Sequence, residues 1–227
     1  MRAAVIVMLT RVDLPHPRFA RLYPRAAARA DARGAASHRS RLVADLSGRV
    51  VEIGAGHGAN FVHYPPTVTE VVAIEPEPTL RALATQAAAA HMPVPISVRP
   101  GTAEALPFAD HELDAAVVSL VLCSVPDQAR ALDEIRRVLK PGGELRFYEH
   151  VIPRGGVKRM LLQAADRSGA WPALAGGCHP ARDTAAAIER AGFTIEACER
   201  IDFSAAAIEP TIPYLLGRAR SGLVGPW

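Results

Sequence analysis

VVEIGAGHGAN, residues 50–60, is the stretch on which the fold turns. An apolar run, RVVEI at 49–53, has the composition of a short buried strand, and glycines come after it at 54, 56 and 58. A glycine-rich turn between a first strand and a helix lets the backbone come close to a ligand, because glycine adopts positive φ without steric cost. Taken alone, such a turn says only that backbone approaches something. The residues on either side of it carry the rest.

Downstream, EVVAI (70–74) is a second strand and ends at Glu75. Residues 77–90 are helical and begin on prolines that suit a first turn. PISVRP (95–100) is a third strand and LDAAVVSLVL (113–122) a fourth. Pro126 and Asp127 open a helix that runs to Leu139 and stops at KPGG; ELRFYEHV (144–151) is a fifth strand. Residues 156–170 and 180–191 read as helices, 193–203 as a strand, and 211–221 as a last edge strand that tolerates Pro213 at its start. Before the first strand, residues 16–46 carry apolar positions at helical spacing and read as two helices broken near Pro24 or Gly34. Strands alternating with helices at this spacing mean a mostly parallel sheet covered on both faces, an α/β fold. The expected organisation is an extension over 1–15 and a single domain over 16–227. Within it, 16–48 form a helical cap, 49–151 a cofactor-binding core, and 152–227 the substrate-side helices and last strands.

The 227 residues suffice for one such domain with a proper core, and 49% hydrophobic content argues against disorder. The net charge is only +3, and of 26 basic residues just Lys140 and Lys158 are lysines. The basic residues are densest before residue 50 and read as a solvated face. Three cysteines, Cys123, Cys178 and Cys198, without a short repeating spacing argue against a disulfide scaffold or a zinc site and fit a reducing cytoplasm. No metal is therefore expected. The apolar run Ala3–Leu9 is too short to span a membrane and lacks a secretory cleavage pattern. It reads as an extension or docking strand, with peripheral membrane contact at most.

The ligand is read from the acids. The dinucleotide fingerprint places its last glycine three residues after the second, whereas here Gly54, Gly56 and Gly58 alternate. Glu52 precedes the first glycine; its carboxylate would repel a pyrophosphate and suit an ammonium group. Glu75, at the end of the second strand, can accept both hydroxyls of a ribose. A ribose with a cationic, phosphate-free tail describes S-adenosylmethionine better than a nicotinamide dinucleotide.

GTAEALPF (101–108) and DEIRRVLKPGGELRFYEHV (133–151) extend the pattern. Over about residues 49–151 these segments resemble the class I S-adenosylmethionine-dependent methyltransferases, of the type called the methyltransferase 11 domain. The resemblance implies a Rossmann-like fold with a mostly parallel seven-stranded sheet flanked by helices, here with an N-terminal helical extension. It implies that the loop Gly54, Ala55, Gly56, His57, Gly58 approaches the methionine part, with Glu52 before it. It also implies that Glu75, followed by Pro76, binds the ribose diol. Thr102, Ala103 and Glu104 would lie beside adenine, and Ser119 and Leu120 would pass the methionine backbone. Many relatives have Asp where this chain has Thr102, so adenine's amino group falls to Thr102 or to a backbone carbonyl. His57 stands where many relatives have a small hydroxyl residue, and its expected contact is through backbone.

A narrower resemblance rests on ANFVHYPP (59–66), LVLCSVPDQ (120–128), FYEHV (147–151) and GGCHPARDTAAAIERAGF (176–193). These are similar to the methyltransferase-like 7 group of alkyl thiol S-methyltransferases and its bacterial relatives. The resemblance implies methyl transfer to sulfur on a small thiol, with S-adenosylhomocysteine as the other product. A thiol is already a few per cent ionised at neutral pH, so a nearby imidazole suffices to take its proton. His150, at the carboxyl end of the fifth strand, and His179, in a glycine-flanked loop, are the candidate bases. Cys123 reads as core or pocket wall; Cys178 beside His179 invites a nucleophile reading that methyl transfer does not need. Phe61 and Tyr64 are expected to close over the cofactor, and Trp171 to line the substrate side. Oxygen, nitrogen or carbon acceptors, such as a quinol, phenol or natural product, stand behind sulfur. An RNA methyltransferase is disfavoured because the fourth strand ends in SLVLCSV rather than the Pro-Pro-Tyr type of signature, and no nucleic acid partner is expected. The pattern leaves the oligomeric state open.

Overall fold

The apolar runs form β1 (Gly48–Ile53), β2 (Val68–Ile74), β3 (Ile96–Arg99), β4 (Leu113–Ser119), β5 (Leu139–His150), β6 (Phe193–Phe203) and β7 (Ile212–Ser221). They pair into one seven-stranded sheet in the order β3-β2-β1-β4-β5-β7-β6. The strands β1–β5 run parallel and β7 runs antiparallel to both β5 and β6. The structure, a computed structural model, describes residues 17–90, 92–169, 172, 176–205 and 211–222. The lead-in 1–15 and Trp171 lie outside the described residues.

Side chains alternate across each strand, and here both faces are apolar. Val51 and Ile53 pack with Val72, Ile74, Ala116, Val118 and Phe147 in one layer. Val50 packs with Val71, Ala73, Ala115, Val117 and Tyr148 in the other. Burial of each such side chain contributes about 1.5–3 kcal/mol of transfer free energy, and a strand buried on both faces must be covered twice. The covering helices are α1 (Pro17–Ala30), α2 (Ala36–Val43), α3 (Pro78–Ala89), α4 (Gln128–Val138), α5 (Gly156–Arg167) and α6 (Thr184–Arg190). Three of them start on an acidic cap. Glu77 accepts from the Leu80 N–H at 2.7 Å, Asp127 from Arg130 at 3.0 Å, and Asp183 from Ala186 at 3.2 Å. No helix among the described residues is long and apolar enough to cross a membrane.

The structure decides one sequence alternative and changes other expectations, among them the start of the fifth strand, which comes at Leu139 and takes in KPGG. The N-terminal helix runs through Pro24, and the break comes at Gly34, whose φ of 125° few other residues adopt. A proline inside a helix costs about 3 kcal/mol, which the packing of α1 through buried Ala20 and Ala27 helps to offset. The fourth strand ends at Ser119 instead of residue 122, because Leu120 turns at φ 62°. The last segment is an interior strand, since β7 lies between β5 and β6 and leaves β6 at the edge. Pro213 fits there because it stands near the start of β7, where its carbonyl accepts from the Val151 N–H at 3.1 Å.

The strand order reverses between β1 and β4: β2 and β3 lie to one side, β5 to the other. A crevice opens beyond the carboxyl ends of strands at such a point.

Candidate active site

A cavity of about 270 Å³ lies at that crevice, walled by the ends of β1, β2, β4 and β5. Its floor is the glycine loop. Gly54 and Gly56 have φ of 64° and 59°, and the N–H groups of Gly54 and Ala55 both donate to the Ile74 carbonyl, at 2.7 and 3.2 Å. A Cβ on Gly54 would lie 2.6 Å from Val121 Cγ2, and one on Gly56 would lie 3.1 Å from Tyr23 Cε1. The loop is thus wedged between the wall of the cavity and α1, and its spacing leaves room for nothing larger than glycine.

Glu75 stands beside it. Its Oε2 accepts the Gly56 N–H at 2.7 Å and its Oε1 the Glu77 N–H at 2.8 Å. Burial pushes its carboxyl up to about 7, against the pull of those two N–H groups. Each oxygen keeps a further lone pair for a hydroxyl donor. Pro76, Thr102, Ala103, Glu104, Ser119 and Leu120 line the same cavity. The fold therefore brings together nine of the residues expected at a cofactor: these six with Gly54, Gly56 and Glu75.

The other expected cofactor residues lie elsewhere. Glu52 does not line the cavity. Its carboxylate is behind the loop, where Asn60 Nδ2 donates at 2.9 Å and the Tyr64 hydroxyl at 2.7 Å. Burial raises it to about 7, opposed by those two donors. Held by these two donors, it braces the glycine loop from behind. Tyr64, bound to Glu52, and Phe61, packed under Gly58, are buried behind the loop and do not close over the cavity. Ala55, His57 and Gly58 are not lining residues either. The His57 ring meets the edge of Tyr23 at 5.6 Å, and burial lowers its basicity.

At the far end, His150 lines the cavity together with Cys123 and Cys178. His150 Nδ1 lies 3.5 Å from Cys178 Sγ and 3.9 Å from Cys123 Sγ. The neighbouring Cys178 thiol and burial hold the Cys123 thiol well above the usual thiol range. The His150 ring leans on Tyr214 at 4.4 Å, its cross-strand neighbour on β7. His179, the other candidate base, does not line the cavity. Its Nδ1 is 2.8 Å from Asp166 Oδ1, and its backbone N–H donates to the Cys123 carbonyl at 2.7 Å. It fastens the loop that carries Cys178.

Four residues that build or brace the cavity are not singled out by the sequence. Glu149, fully buried, accepts the N–H groups of Val121, Leu122 and Cys123 at 2.9, 3.1 and 3.2 Å and so shapes the cavity wall. An acid inside the apolar run FYEHV is its signal. Arg39 is only 4% exposed, unlike Arg18, Arg21, Arg25 and Arg29 on the solvated face. Its Nη1 donates to Asn60 at 3.1 Å and Ser119 at 3.4 Å, and its Nε to Asp31 at 3.0 Å, tying the helical cap to β4 and the glycine loop. Phe19 and Tyr23, stacked at 4.9 Å, supply an aromatic wall from α1. Nothing in the spacing of these three marks them.

Known proteins share both the sequence pattern and the fold. Residues 51–147 match the family described as Methyltransferase domain. The chain is 36% identical over 147 residues to the thiol S-methyltransferase TMT1B of Rattus norvegicus, covering 64% of this chain and 59% of that protein. It is 35% identical over 179 residues to the thiol S-methyltransferase TMT1B of Homo sapiens, covering 76% of this chain and 71% of that protein. It thus spans about three fifths of the rat relative's length. Among solved structures, a SAM-dependent methyltransferase of Thermotoga maritima superposes with a TM-score of 0.66 over 89% of this chain and 96% of that one. At 22% identity, that likeness shows the fold.

Proposed function

Because the chain belongs to the methyltransferase family that includes the thiol S-methyltransferase TMT1B, we propose that it transfers a methyl group from S-adenosylmethionine to a small thiol. The observation that carries this reading is one cavity with two chemically distinct ends: the Glu75 carboxylate against the glycine loop, and the His150–Cys123–Cys178 group opposite. The residues fit the cofactor. Glu75 offers acceptors for a diol, and the loop offers backbone at a place where a Cβ would collide. Thr102, Ala103 and Glu104 offer a wall for adenine, and Ser119 and Leu120 one for the methionine part. We assign residues 49–151 to cofactor binding and the helical cap to closing the cavity through Phe19 and Tyr23.

S-adenosylmethionine, when bound, would supply an electrophilic methyl carbon open to in-line attack by an acceptor thiolate, with S-adenosylhomocysteine as the leaving group. The chain's residues have to orient, exclude water and manage one proton. The apolar wall of Val121, Cys123, Val125 and Phe19 desolvates the thiolate, which strengthens it as a nucleophile. His150 receives the acceptor's proton at an imidazole nitrogen. His179, clamped by Asp166, positions the Cys178 loop against it. Calorimetry with S-adenosylmethionine, together with methyl-transfer assays over thiols, phenols and quinols, tests the reading. Saturable cofactor binding and methylation confined to thiols are expected; no cofactor binding, or methylation of phenols alone, would refute it.

A further inference from the structure

The group at the far end of the cavity has more order than a base would need. Cys123 comes just after the β4 turn, His150 ends β5, and Cys178 comes from the loop before α6. Their donor atoms all lie within 4.8 Å of one another. Around a tetrahedral zinc ion, with Zn–S near 2.3 Å and Zn–N near 2.0–2.1 Å, neighbouring sulfur and nitrogen donors stand about 3.6 Å apart. The two sulfur-to-nitrogen distances here are 3.5 and 3.9 Å. Two thiolates and one imidazole are donors that select a borderline-soft ion of zinc type.

The turn that carries Cys123 is held from both sides. The Cys123 N–H is held by Glu149 and its carbonyl by the His179 N–H. His179 in turn is held by Asp166. Arg182 Nη1 donates to the Leu122 and Val125 carbonyls, both at 2.8 Å, locking the turn from the other side. The His150 ring rests on Tyr214. Supporting interactions of this kind orient metal ligands. Three protein donors with a face toward a cavity are the arrangement of a zinc site that keeps its fourth position for water or substrate.

We infer that Cys123, Cys178 and His150 bind a zinc-type divalent ion whose open position faces the cavity and takes the sulfur of the acceptor. This rests on the reading that the acceptor is a thiol. On metal binding the two cysteines release their protons to solvent. The acceptor thiol likewise releases its proton to solvent on coordination, since His150 is then occupied as a ligand, and the ion holds the resulting thiolate. In the transfer, the carbon–sulfur bond to the acceptor forms as the sulfonium carbon–sulfur bond breaks. The neutral thioether is a poor ligand and leaves, and the ion is regenerated without change of oxidation state. In the loaded protein His150 acts as a ligand, and the ion takes over the work of favouring thiolate.

The test is a titration of the chelator-stripped protein with Co(II), read by the visible d–d bands and the thiolate charge-transfer band of tetrahedral cobalt. The expected result is one Co(II) per chain, displaced by Zn(II), with the d–d bands shifting when an alkyl thiol is added. Cys178→Ser, Cys123→Ser and His150→Ala should each weaken binding by at least about 100-fold, whereas Cys198→Ser, on exposed β6, should bind as wild type. Calorimetry with S-adenosylmethionine on each variant separates loss of the site from loss of the fold. Absence of cobalt bands in protein that binds the cofactor would overturn the inference. So would bands that survive Cys178→Ser, or undiminished thiol methylation by stripped protein; that last result would leave the thiol reading standing. Metal binding with no methylation of any thiol would instead refute the thiol reading and, with it, the ion's part in holding the acceptor.

Discussion

The two ends of the cavity are built in opposite ways. At one end, Gly54, Gly56, Glu75 and Pro76 come from two adjacent strand ends, β1 and β2, within a short span of sequence. At the other, Cys123, His150 and Cys178 come from three separated segments that meet only when β4, β5 and the loop before α6 are in place. The first end is a local motif, whose geometry arises from positive-φ glycines and one carboxylate. The second is a product of topology. On the proposed reading, binding the cofactor and choosing the acceptor are then separable, and substitutions should divide them.

The widest separation is expected from His150→Ala. Loss of the imidazole should lower kcat for thiol methylation by about 100-fold or more while leaving the Kd for S-adenosylmethionine within about threefold. Equal losses in both would merge the two ends. Next comes Glu75→Ala, the reciprocal change. Removing a carboxylate that makes charge-assisted hydrogen bonds costs on the order of 3 kcal/mol, about 100-fold in Kd. The expected calorimetric result is weak cofactor binding with the far end intact. Because burial puts the Glu75 carboxyl near 7, wild-type affinity for the cofactor should rise as pH increases through 7, as the acceptor form becomes populated. Glu75→Ala should show no such rise.

A smaller effect tests how the wall between the two ends is held. Glu149→Gln replaces a carboxylate that accepts three backbone N–H groups with an amide that brings its own donors. Urea unfolding should show a loss of roughly 1–3 kcal/mol, together with a raised KM for the thiol. Unchanged stability would mean the turn at 121–123 holds itself.

The least change is expected at the brace behind the glycine loop. The Glu52 carboxyl is raised to about 7 in the fold, above its value of about 4.3 in an unfolded chain. The folded state therefore holds a proton that the unfolded state has lost. Its contribution to stability is full below about 4.3 and falls as pH rises toward about 7. Wild type should accordingly lose more stability between pH 5 and about 7 than Glu52→Gln does, when both are measured by urea unfolding. Parallel pH profiles would place the Glu52 charge in a solvated setting.

The same contrast explains what the chain discloses before folding. The alternation of VVEI, EVVAI and LDAAVVS with helical runs is legible because each element carries its own period. Glu75 is legible because an acid closing an apolar strand has one place to go. Glu52 stands out as an acid beside the loop, but not as the partner of Asn60 and Tyr64, because periodicity does not say which way a side chain behind a turn will face. Arg39 is hidden among arginines of identical local setting; only its contact with Asn60, Ser119 and Asp31 singles it out. Strand four reads too long because LVLC is as apolar as the strand before it, and the carboxylate that bends it belongs to β5. Spacing speaks against a shared site for the cysteines, but spacing is a rule about local loops; the fold brings Cys123 and Cys178, 55 residues apart in the sequence, to His150 at the end of β5.

Whether sulfur is the acceptor is decided by incubating the purified chain with methyl-labelled S-adenosylmethionine and an equimolar mixture of an alkyl thiol, a phenol and an amine, and locating the label by mass spectrometry. The expected result is label on sulfur as the methyl thioether, formed far more slowly by Glu75→Ala and by His150→Ala. Label on oxygen or nitrogen with none on sulfur, or thioether formation that survives His150→Ala undiminished, would contradict it.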